Sequence, residues 1–170
     1  MNEETVWTGR YIVAKRRGPW EYVSRARGIG AAVILAVKER HVLLIEQWRV
    51  PLQRRCLELP AGLVGDETAH EDVVTSAARE LEEETGWRPG RVEIVGDFAS
   101  SPGMVSETFT LVRASELTKV GAGGGVAGED IVVHRVAQAD IPAFVAEKRT
   151  EGVVIDVKLL LLLAPGIVGC

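Results

Sequence analysis

Three glutamates in the middle of the chain have the spacing of a metal site. On a helix Glu80, Glu83 and Glu84 share one face, while Glu82 points away from it. Neighbouring carboxylates repel one another unless cations pair with them. Converging hard oxygen ligands suit Mg²⁺ or Mn²⁺, which keep open positions for phosphate oxygens and water. An acidic run is also typical of a solvated helix face, but this one ends at Gly86 instead of continuing into a Glu/Lys repeat.

A loop containing glycine and proline precedes these glutamates, and the two together form a known pattern. Residues 58–62 read Glu-Leu-Pro-Ala-Gly. After them come Gly65, five residues, Glu71, seven residues, and Arg-Glu-Leu-Glu-Glu-Glu-Thr-Gly-Trp at 79–87. This order resembles the Nudix box of nucleoside-diphosphate-X hydrolases. The match covers 23 residues and fixes nine positions, which makes coincidence a poor explanation.

Two features depart from the box. Trp87 replaces the usual aliphatic residue and should still pack. In relatives with a Leu-Pro-Ala-Gly loop the box begins at that glycine, here Gly62, whereas counting back along the box places its start at Gly65. This indicates about three inserted residues and leaves the role of Glu71 open. If helix already exists there, Glu71 lies opposite the metal-site glutamates and is a cap or a partner of Arg79.

The flanking sequence resembles one branch, the ADP-ribose and related sugar-nucleotide pyrophosphatases. Residues 101–107 read Ser-Pro-Gly-Met-Val-Ser-Glu, and Pro102 lies fifteen residues past Trp87, about as in that branch. Glu107 then falls where the family carries a loop glutamate that orients or deprotonates the attacking water; an isolated loop glutamate would simply be solvated. Gly-Glu-Asp-Ile-Val-Val-His at 128–134 is similar to a segment of the same branch, and its acidic pair is also open to a structural interpretation.

Two upstream segments extend this resemblance. Glu-Gln-Trp-Arg at 46–49 is similar to the branch's Gln-aromatic-Arg step, so Arg49 either binds the pyrophosphate bidentately or forms a surface ion pair. The hairpin residues Trp20 to Arg25 look like the family element that offers an aromatic ring to adenine and an arginine to the phosphates. Burial of Trp20 in the hairpin is an equally reasonable interpretation, and Tyr11 is a weaker candidate for the other side of the base.

The resemblance implies a hydrolase that uses Mg²⁺, for which Mn²⁺ can substitute. The implied metal ligands are Glu80, Glu83, Glu84 and the carbonyl oxygen of Ala61. The implied catalytic residues are Glu107 and Glu83, and the implied substrate-binding residues are Trp20, Arg25 and Arg49. The expected reaction converts ADP-ribose to AMP and ribose 5-phosphate, with GDP-mannose or another nucleoside-diphosphate sugar as the alternative substrate. A non-catalytic nucleotide sensor is a third hypothesis, which the complete set of box glutamates disfavours.

Alternating and helical hydrophobic patterns interleave irregularly, which predicts an α/β fold with a mixed sheet. The resemblance implies a Nudix-type α/β/α sandwich at 28–170 and an N-terminal β element at 1–27, exchanged across a homodimer in relatives. Thr68–Thr85 is predicted to be the main helix, starting in a capping box and ending at Gly86. The glycine-rich run 121–128 is predicted to be a mobile connector. Predicted strands are 10–14, 20–25, 30–37, 42–47, 92–99, 108–113 and 131–136, and further predicted helices are 140–148 and 153–163.

Composition excludes several classes of protein. The chain has 170 residues and a net charge of −4, so it lacks a general attraction for nucleic acid or anionic membranes. Its longest apolar stretch, 159–168, is about half a membrane span, and the first residues do not follow the order of a secretory signal. Two cysteines without a CxxC motif fit a reducing compartment, so we expect a cytoplasmic protein. The three histidines and Cys56 are interpreted as structural or surface residues.

Overall fold

The computed structural model describes residues 2–26, 28–65, 71–126 and 128–163. The N-terminal part is a three-stranded antiparallel sheet in the order β1-β2-β3. The predicted hairpin is confirmed, although its first strand starts two residues later than expected. The strands are β1 (Glu3–Thr8), β2 (Ile12–Arg17) and β3 (Trp20–Arg25).

Strand β1 was not predicted because it has no apolar face. All six of its residues are exposed, so no alternation of buried and exposed positions marks it in the sequence. Charge pairs connect it to the neighbouring strand instead. Glu3 accepts hydrogen bonds from Lys15 at 2.9 Å and Arg17 at 2.6 Å. Exposed pairs of this kind contribute little to stability, so their main effect is to favour this strand pairing over others.

The main sheet has eight strands in the order β13-β6-β5-β4-β10-β9, with β12 paired to β5 and β7 paired to β4. Two pairs, β4 with β10 and β6 with β13, are parallel and the others are antiparallel, which confirms the mixed sheet. A separate two-stranded ribbon joins β8 to β11. The strands are β4 (Gly30–Lys38), β5 (His41–Arg49), β6 (Arg54–Glu58), β7 (Ala61–Val64), β8 (Trp87–Arg88), β9 (Arg91–Ala99), β10 (Thr108–Ser115), β11 (Thr118–Lys119), β12 (Val132–Ala137) and β13 (Val154–Ile155).

Buried residues lie on both faces of this sheet. Along β4, Ala32 and Ile34 pack against α1 (Val73–Thr85), whereas Val33 and Leu35 pack on the opposite side. That second side is covered by α2 (Ile141–Thr150) and the following segment, which contribute Ile141, Leu159 and Leu162. This alternation follows from the two-residue period of a strand. The α/β/α layering implied by the resemblance is therefore confirmed.

Helix α1 begins later than predicted. Its N-cap is Asp72, whose carboxylate accepts hydrogen bonds from the N–H groups of Val74 at 2.9 Å and Thr75 at 3.0 Å. The predicted start at Thr68 lies outside the described residues, and the capping box that ended at Glu71 is wrong because Glu71 precedes the helix. The predicted end is confirmed: Gly86 has a φ of 71° and caps α1 in the left-handed conformation.

The C-terminal part also differs from the prediction of one helix over 153–163. Val154 and Ile155 form β13 against β6, and a 3-10 helix covers 157–163. The chain forms a strand here because the edge of β6 is open to parallel pairing, a tertiary effect that local pattern does not show. In the described residues there is no helix long and apolar enough to cross a membrane.

The glycine-rich run is not a mobile connector in the part that the structure describes. It lies along the C-terminal end of α1, where the N–H of Gly124 donates to the carbonyl of Glu84 at 2.8 Å and that of Gly125 to Glu83 at 3.1 Å. The last carbonyls of a helix lack partners within it, so this segment caps the helix. Glycine is required at position 123, since its φ is +76° and a Cβ would lie 2.4 Å from the backbone carbon of Thr85.

Candidate active site

One cavity of about 690 Å³ brings together most of the residues predicted to act. It is bounded by α1, the ends of β5 and β6, and the loop that precedes β10. Seven acidic and four basic side chains line it, which gives it a formal charge of −3. The acidic residues are Glu58, Glu80, Glu83, Glu84, Glu107, Glu129 and Asp156, and the basic residues are Arg25, Arg49, Arg79 and Lys158.

The most buried charged group of the predicted metal site is Glu84. It is 6% exposed, and its carboxylate accepts a hydrogen bond from the N–H of Ala61 at 3.0 Å. Burial raises the pKa of Glu84 to about 8, and the nearby charges of Glu80, Glu129 and Glu58 add to this effect. A carboxylate in this environment ionises readily only when a cation is bound beside it. The donor set therefore fits a divalent metal ion with oxygen ligands.

The buried Glu84 makes the stability of the metal-free protein dependent on pH. Its pKa is about 8 in the folded state against 4.5 for the free side chain, so the folded state retains this proton longer than the unfolded state. Stability is therefore fully present below pH 4.5 and is lost as the pH rises towards 8, by at most about 1.4 kcal/mol per pH unit. In EDTA, we expect the Tm of the wild type to fall relative to that of Glu84→Gln between pH 5 and pH 8.

Differential scanning fluorimetry of the two proteins side by side measures this effect, because all other titrating groups are shared. Addition of Mg²⁺ at pH 8 should reduce the difference in Tm between the wild type and Glu84→Gln, since a bound cation favours the ionised carboxylate. Parallel Tm curves for wild type and variant over the whole interval would contradict the assignment of a raised pKa to Glu84.

The guanidinium of Arg79 connects the other acidic groups of the box. It lies 3.1 Å from Glu80, 3.1 Å from Glu83 and 3.3 Å from Glu71. Glu71 is thus a partner of Arg79, one of the two roles left open for it. In the described part of the chain, no three acidic, histidine or cysteine side chains form a preformed metal site. The ion pairs with Arg79 explain why, because they hold the carboxylates of Glu80 and Glu83 against the guanidinium.

Glu80 lies directly against Gly62 of β7. A Cβ at this glycine would be 2.0 Å from the carboxyl carbon of Glu80. Gly62→Ala should therefore displace the Glu80 carboxylate and lower kcat by about 10²-fold, because a displacement of about 1 Å is sufficient for such a loss. Steady-state kinetics in Mg²⁺ measure the change. Gly30→Ala is the matched control on the paired strand β4, since the nearest atom to its Cβ would be 4.0 Å away; equal kinetics for both variants would contradict the prediction.

Glu107 is held by the N-terminal sheet. Its carboxylate accepts a hydrogen bond from Nε of Arg25 on β3 at 2.6 Å. The same strand pairs with the loop before Glu107, because the N–H of Val23 donates to the carbonyl of Met104 and that of Ser106 to Val23, both at 2.9 Å. The N-terminal sheet therefore positions a predicted catalytic residue. The sequence indicated no contact between these two segments, which lie about eighty residues apart.

The model of the NUDIX domain matches residues 26–148, which is more than half of the chain. The chain belongs to the Nudix family. The ADP-ribose pyrophosphatase of Bacillus subtilis is 39% identical over 92 residues, which cover 52% of this chain and 47% of that enzyme. The GDP-mannose pyrophosphatase of Cronobacter sakazakii is 34% identical over 146 residues, covering 81% of this chain and 72% of that enzyme. This Nudix chain thus spans about half the length of the first relative and nearly three quarters of the second.

Comparison with solved structures supports the same fold. The crystal structure of an ADP compounds hydrolase superposes on this Nudix chain with a TM-score of 0.67 at 21% identity. The superposition covers 89% of this chain and 93% of the other. The resemblance to the Nudix family inferred from the box residues is confirmed.

In this Nudix domain Arg49 forms an ion pair, one of the two alternatives, and its role in binding the pyrophosphate stays a prediction. Nε and Nη2 donate to the two carboxylate oxygens of Glu58 at 2.6 Å each, and Glu58 is 4% exposed. The Arg49 side chain remains 43% exposed and lines the cavity. A guanidinium fixed on one edge by a buried carboxylate still presents its other N–H groups to a ligand.

Trp20 does not lie with the other predicted site residues in a single copy of the Nudix chain. It is 60% exposed and lines a second cleft, between the N-terminal sheet and the loop around Pro102. Tyr11 is 61% exposed. The interpretation of Trp20 as a buried hairpin residue is wrong, whereas its role in binding a base stays a prediction.

Several residues that line the cavity were not predicted to act there. Glu129, which follows the glycine-rich run, is one of them. A structural role was one interpretation of Glu129 and its neighbour Asp130. Asp130 has such a role, because Arg55 donates to its carboxylate at 2.7 Å. Other polar residues among them include Gln47, Glu58, Asp156 and Lys158; the last two had been predicted to lie within a helix.

Two predictions of structural roles agree with the contacts. Nε2 of His134 lies 3.1 Å from the buried carboxylate of Glu46, which also contacts Arg55 and Lys148. Cys56 is 3% exposed, and burial raises the pKa of its thiol to about 12, so it is not a nucleophile at neutral pH.

Proposed function

We propose that this Nudix hydrolase uses Mg²⁺ to cleave the pyrophosphate bond of ADP-ribose, giving AMP and ribose 5-phosphate. The observation that carries the proposal is the buried Glu84 among other carboxylates, in a cavity that Arg25 and Arg49 also line. Acidic residues that need a cation, in one cavity with guanidinium groups, suit a diphosphate bound together with a metal ion. The B. subtilis relative named ADP-ribose pyrophosphatase supports the choice of substrate.

The residues that would hold the metal are Glu80, Glu83, Glu84 and the carbonyl of Ala61. A bound Mg²⁺ would neutralise the diphosphate and lower the pKa of a bound water. For Glu80 and Glu83 to become ligands, their contacts with Arg79 at 3.1 Å must be exchanged for the ion. Arg79 would then keep Glu71 as its partner, so the guanidinium stays paired in both arrangements.

Glu107 would orient the attacking water or accept its proton, with Glu83 as the second predicted catalytic carboxylate. Arg25 keeps the Glu107 side chain in place through a 2.6 Å hydrogen bond. Arg49 would bind the diphosphate and stabilise the charge that develops on it, while Glu58 fixes the plane of its guanidinium.

Cleavage of GDP-mannose is the second candidate, favoured by the C. sakazakii relative, which aligns with 81% of this chain. Chromatography of the protein incubated with Mg²⁺ and each nucleotide sugar separates the two. AMP from ADP-ribose alone supports the proposal, and GMP from GDP-mannose alone replaces it with the alternative. Omission of Mg²⁺ and the Glu84→Gln variant are the controls, because turnover at a rate near that of the wild type in Mg²⁺ in either would overturn the role of the metal site.

We also propose that the protein forms a homodimer through its N-terminal sheet. Large apolar side chains are exposed on both faces of this sheet in the single chain, with Trp7 at 56% and Ile12 at 40% on one face and Trp20 at 60% on the other. Exposed apolar surface of this kind is typical of an interface. Light scattering after size exclusion should give twice the mass of the chain, and a monomer would overturn both the dimer and the assignment of Trp20 to a base. A cytoplasmic location is proposed from the cysteine content, since Cys56 is a free thiol.

A further inference from the structure

We propose that Lys158, held by Asp156, binds the sugar phosphate half of the substrate and so contributes to the choice of sugar. This inference rests on the proposed function for the existence of a sugar-nucleotide substrate. Neither residue was predicted from the sequence to lie at the cavity, and both line it in the structure. Lys158 is the substrate-binding residue in this proposal, and Asp156 is a positioning residue.

Asp156 is fixed by the backbone around it. Its N–H donates to the carbonyl of Leu57 at 3.0 Å, immediately after β13 pairs with β6. Its carboxylate accepts the N–H of Lys158 at 2.7 Å and the Nζ of the same residue at 2.5 Å. The ammonium group is thus anchored at a defined place, although it belongs to a long flexible side chain.

Lys158 retains the capacity to bind a ligand. An ammonium group carries three N–H donors, and the hydrogen bond to Asp156 uses one of them. The side chain is 21% exposed, and Nζ lies 5.9 Å from the ring centroid of Phe109, which is two residues past Glu107 on β10. The group therefore lies on the wall of the cavity that continues from the predicted catalytic glutamate.

The surroundings suit a sugar phosphate better than a base. Among the described residues that line the cavity, Phe109 is the one aromatic, and it is 7% exposed beneath Lys158. A base would have no ring to stack on there, and stacking typically supplies about 1–3 kcal/mol per base. Gln47 adds a side-chain amide to the lining of the same cavity. Carboxylate, amide and ammonium groups together match hydroxyl groups and a phosphate.

Binding of the two halves of the substrate tests the proposal without turnover. Calorimetry in Mg²⁺ measures the Kd of ribose 5-phosphate and of AMP for the wild type and Lys158→Met. We expect the Kd of ribose 5-phosphate to rise by about 10-fold or more, the effect of losing a hydrogen bond to a charged group, and the Kd of AMP to change less than about twofold. Lys158→Arg should recover part of the affinity for ribose 5-phosphate. Asp156→Asn should raise the Kd of ribose 5-phosphate by a smaller factor than Lys158→Met does.

The double variant D156N/K158M separates ligand binding from a structural role. It removes the charge that Lys158→Met alone would leave without its partner, so the fold is preserved while the sugar phosphate affinity stays low. Arg91→Met is the matched charge control, since Arg91 is exposed on β9 and pairs with Glu93. Recovery of the affinity in the double variant, equal losses for AMP and ribose 5-phosphate, or an unchanged Kd in Lys158→Met would each overturn the proposal.

Failure of the proposed function is distinguishable from failure of this inference. If the protein cleaves GDP-mannose instead of ADP-ribose, mannose 1-phosphate and GMP become the two probes and the same criteria hold. Loss of affinity for mannose 1-phosphate in Lys158→Met would then support the inference while the ADP-ribose proposal fails. If the wild type binds neither sugar phosphate, the inference is overturned even where ADP-ribose is cleaved.

Discussion

Glu84→Gln is expected to lower kcat by about 10³-fold or more while leaving the fold intact. The carboxylate is the most buried of the predicted metal ligands, at 6% exposure, and an amide lacks the charge that a divalent cation requires. A loss of 10³ corresponds to about 4 kcal/mol of transition-state stabilisation, within the several kcal/mol that a Lewis-acidic metal supplies. Glutamine keeps an oxygen that accepts the N–H of Ala61, so the loop before α1 retains its position.

Steady-state kinetics at saturating Mg²⁺ measure this loss, and Glu82→Gln is its matched control. Glu82 is the neighbouring acidic residue on the other face of α1, where it forms an ion pair with Arg88 at 2.7 Å. It should retain a kcat close to that of the wild type. Similar losses in the two variants would show that overall negative charge matters more than the metal-site face of the helix.

Glu107→Gln is expected to lower kcat by about 10²–10³-fold with little change in KM. A group that orients or deprotonates the water acts in the transition state, and general base catalysis typically contributes about 10²–10⁴-fold. Glutamine can still accept the hydrogen bond from Arg25 that holds Glu107 at 2.6 Å, so the loop should not move. Steady-state kinetics at saturating Mg²⁺ measure the effect, because they give kcat and KM separately.

Glu129→Gln is the matched comparison for Glu107→Gln. Glu129 lines the same cavity at the end of the glycine-rich run, and its charge contributes to the raised pKa of Glu84. We expect its kcat to fall less than that of Glu107→Gln. A larger loss in Glu129→Gln, with near-normal turnover in Glu107→Gln, would transfer the role of base to Glu129.

The box residues were predictable because they depend on local geometry. Helical spacing places Glu80, Glu83 and Glu84 together and Glu82 apart, and a glycine in the left-handed conformation ends the helix at Gly86. The start of α1 was placed wrongly because Thr68 and Asp72 are both good caps in sequence. Only the structure shows that Asp72 is the N-cap, because its carboxylate accepts hydrogen bonds from the N–H groups of Val74 and Thr75.

The main strands of the mixed sheet were also predictable from local sequence. Continuous apolar runs mark strands whose two faces both meet the core, as in β4 and β5. Strands without such a pattern were missed: β1 is exposed throughout, and β13 forms only because the edge of β6 accepts it.

Only the tertiary structure decided which distant groups share the cavity. Arg25 meets Glu107 because β3 pairs with the loop around Met104, and Glu129 reaches the cavity because the glycine-rich run caps α1. Asp156 and Lys158 line it because β13 pairs with β6. Sequence alone determined which residues share the face of the proposed metal site, because one turn of helix fixes their spacing. It did not determine their partners, because pairing between distant strands depends on the whole sheet and leaves no local periodicity.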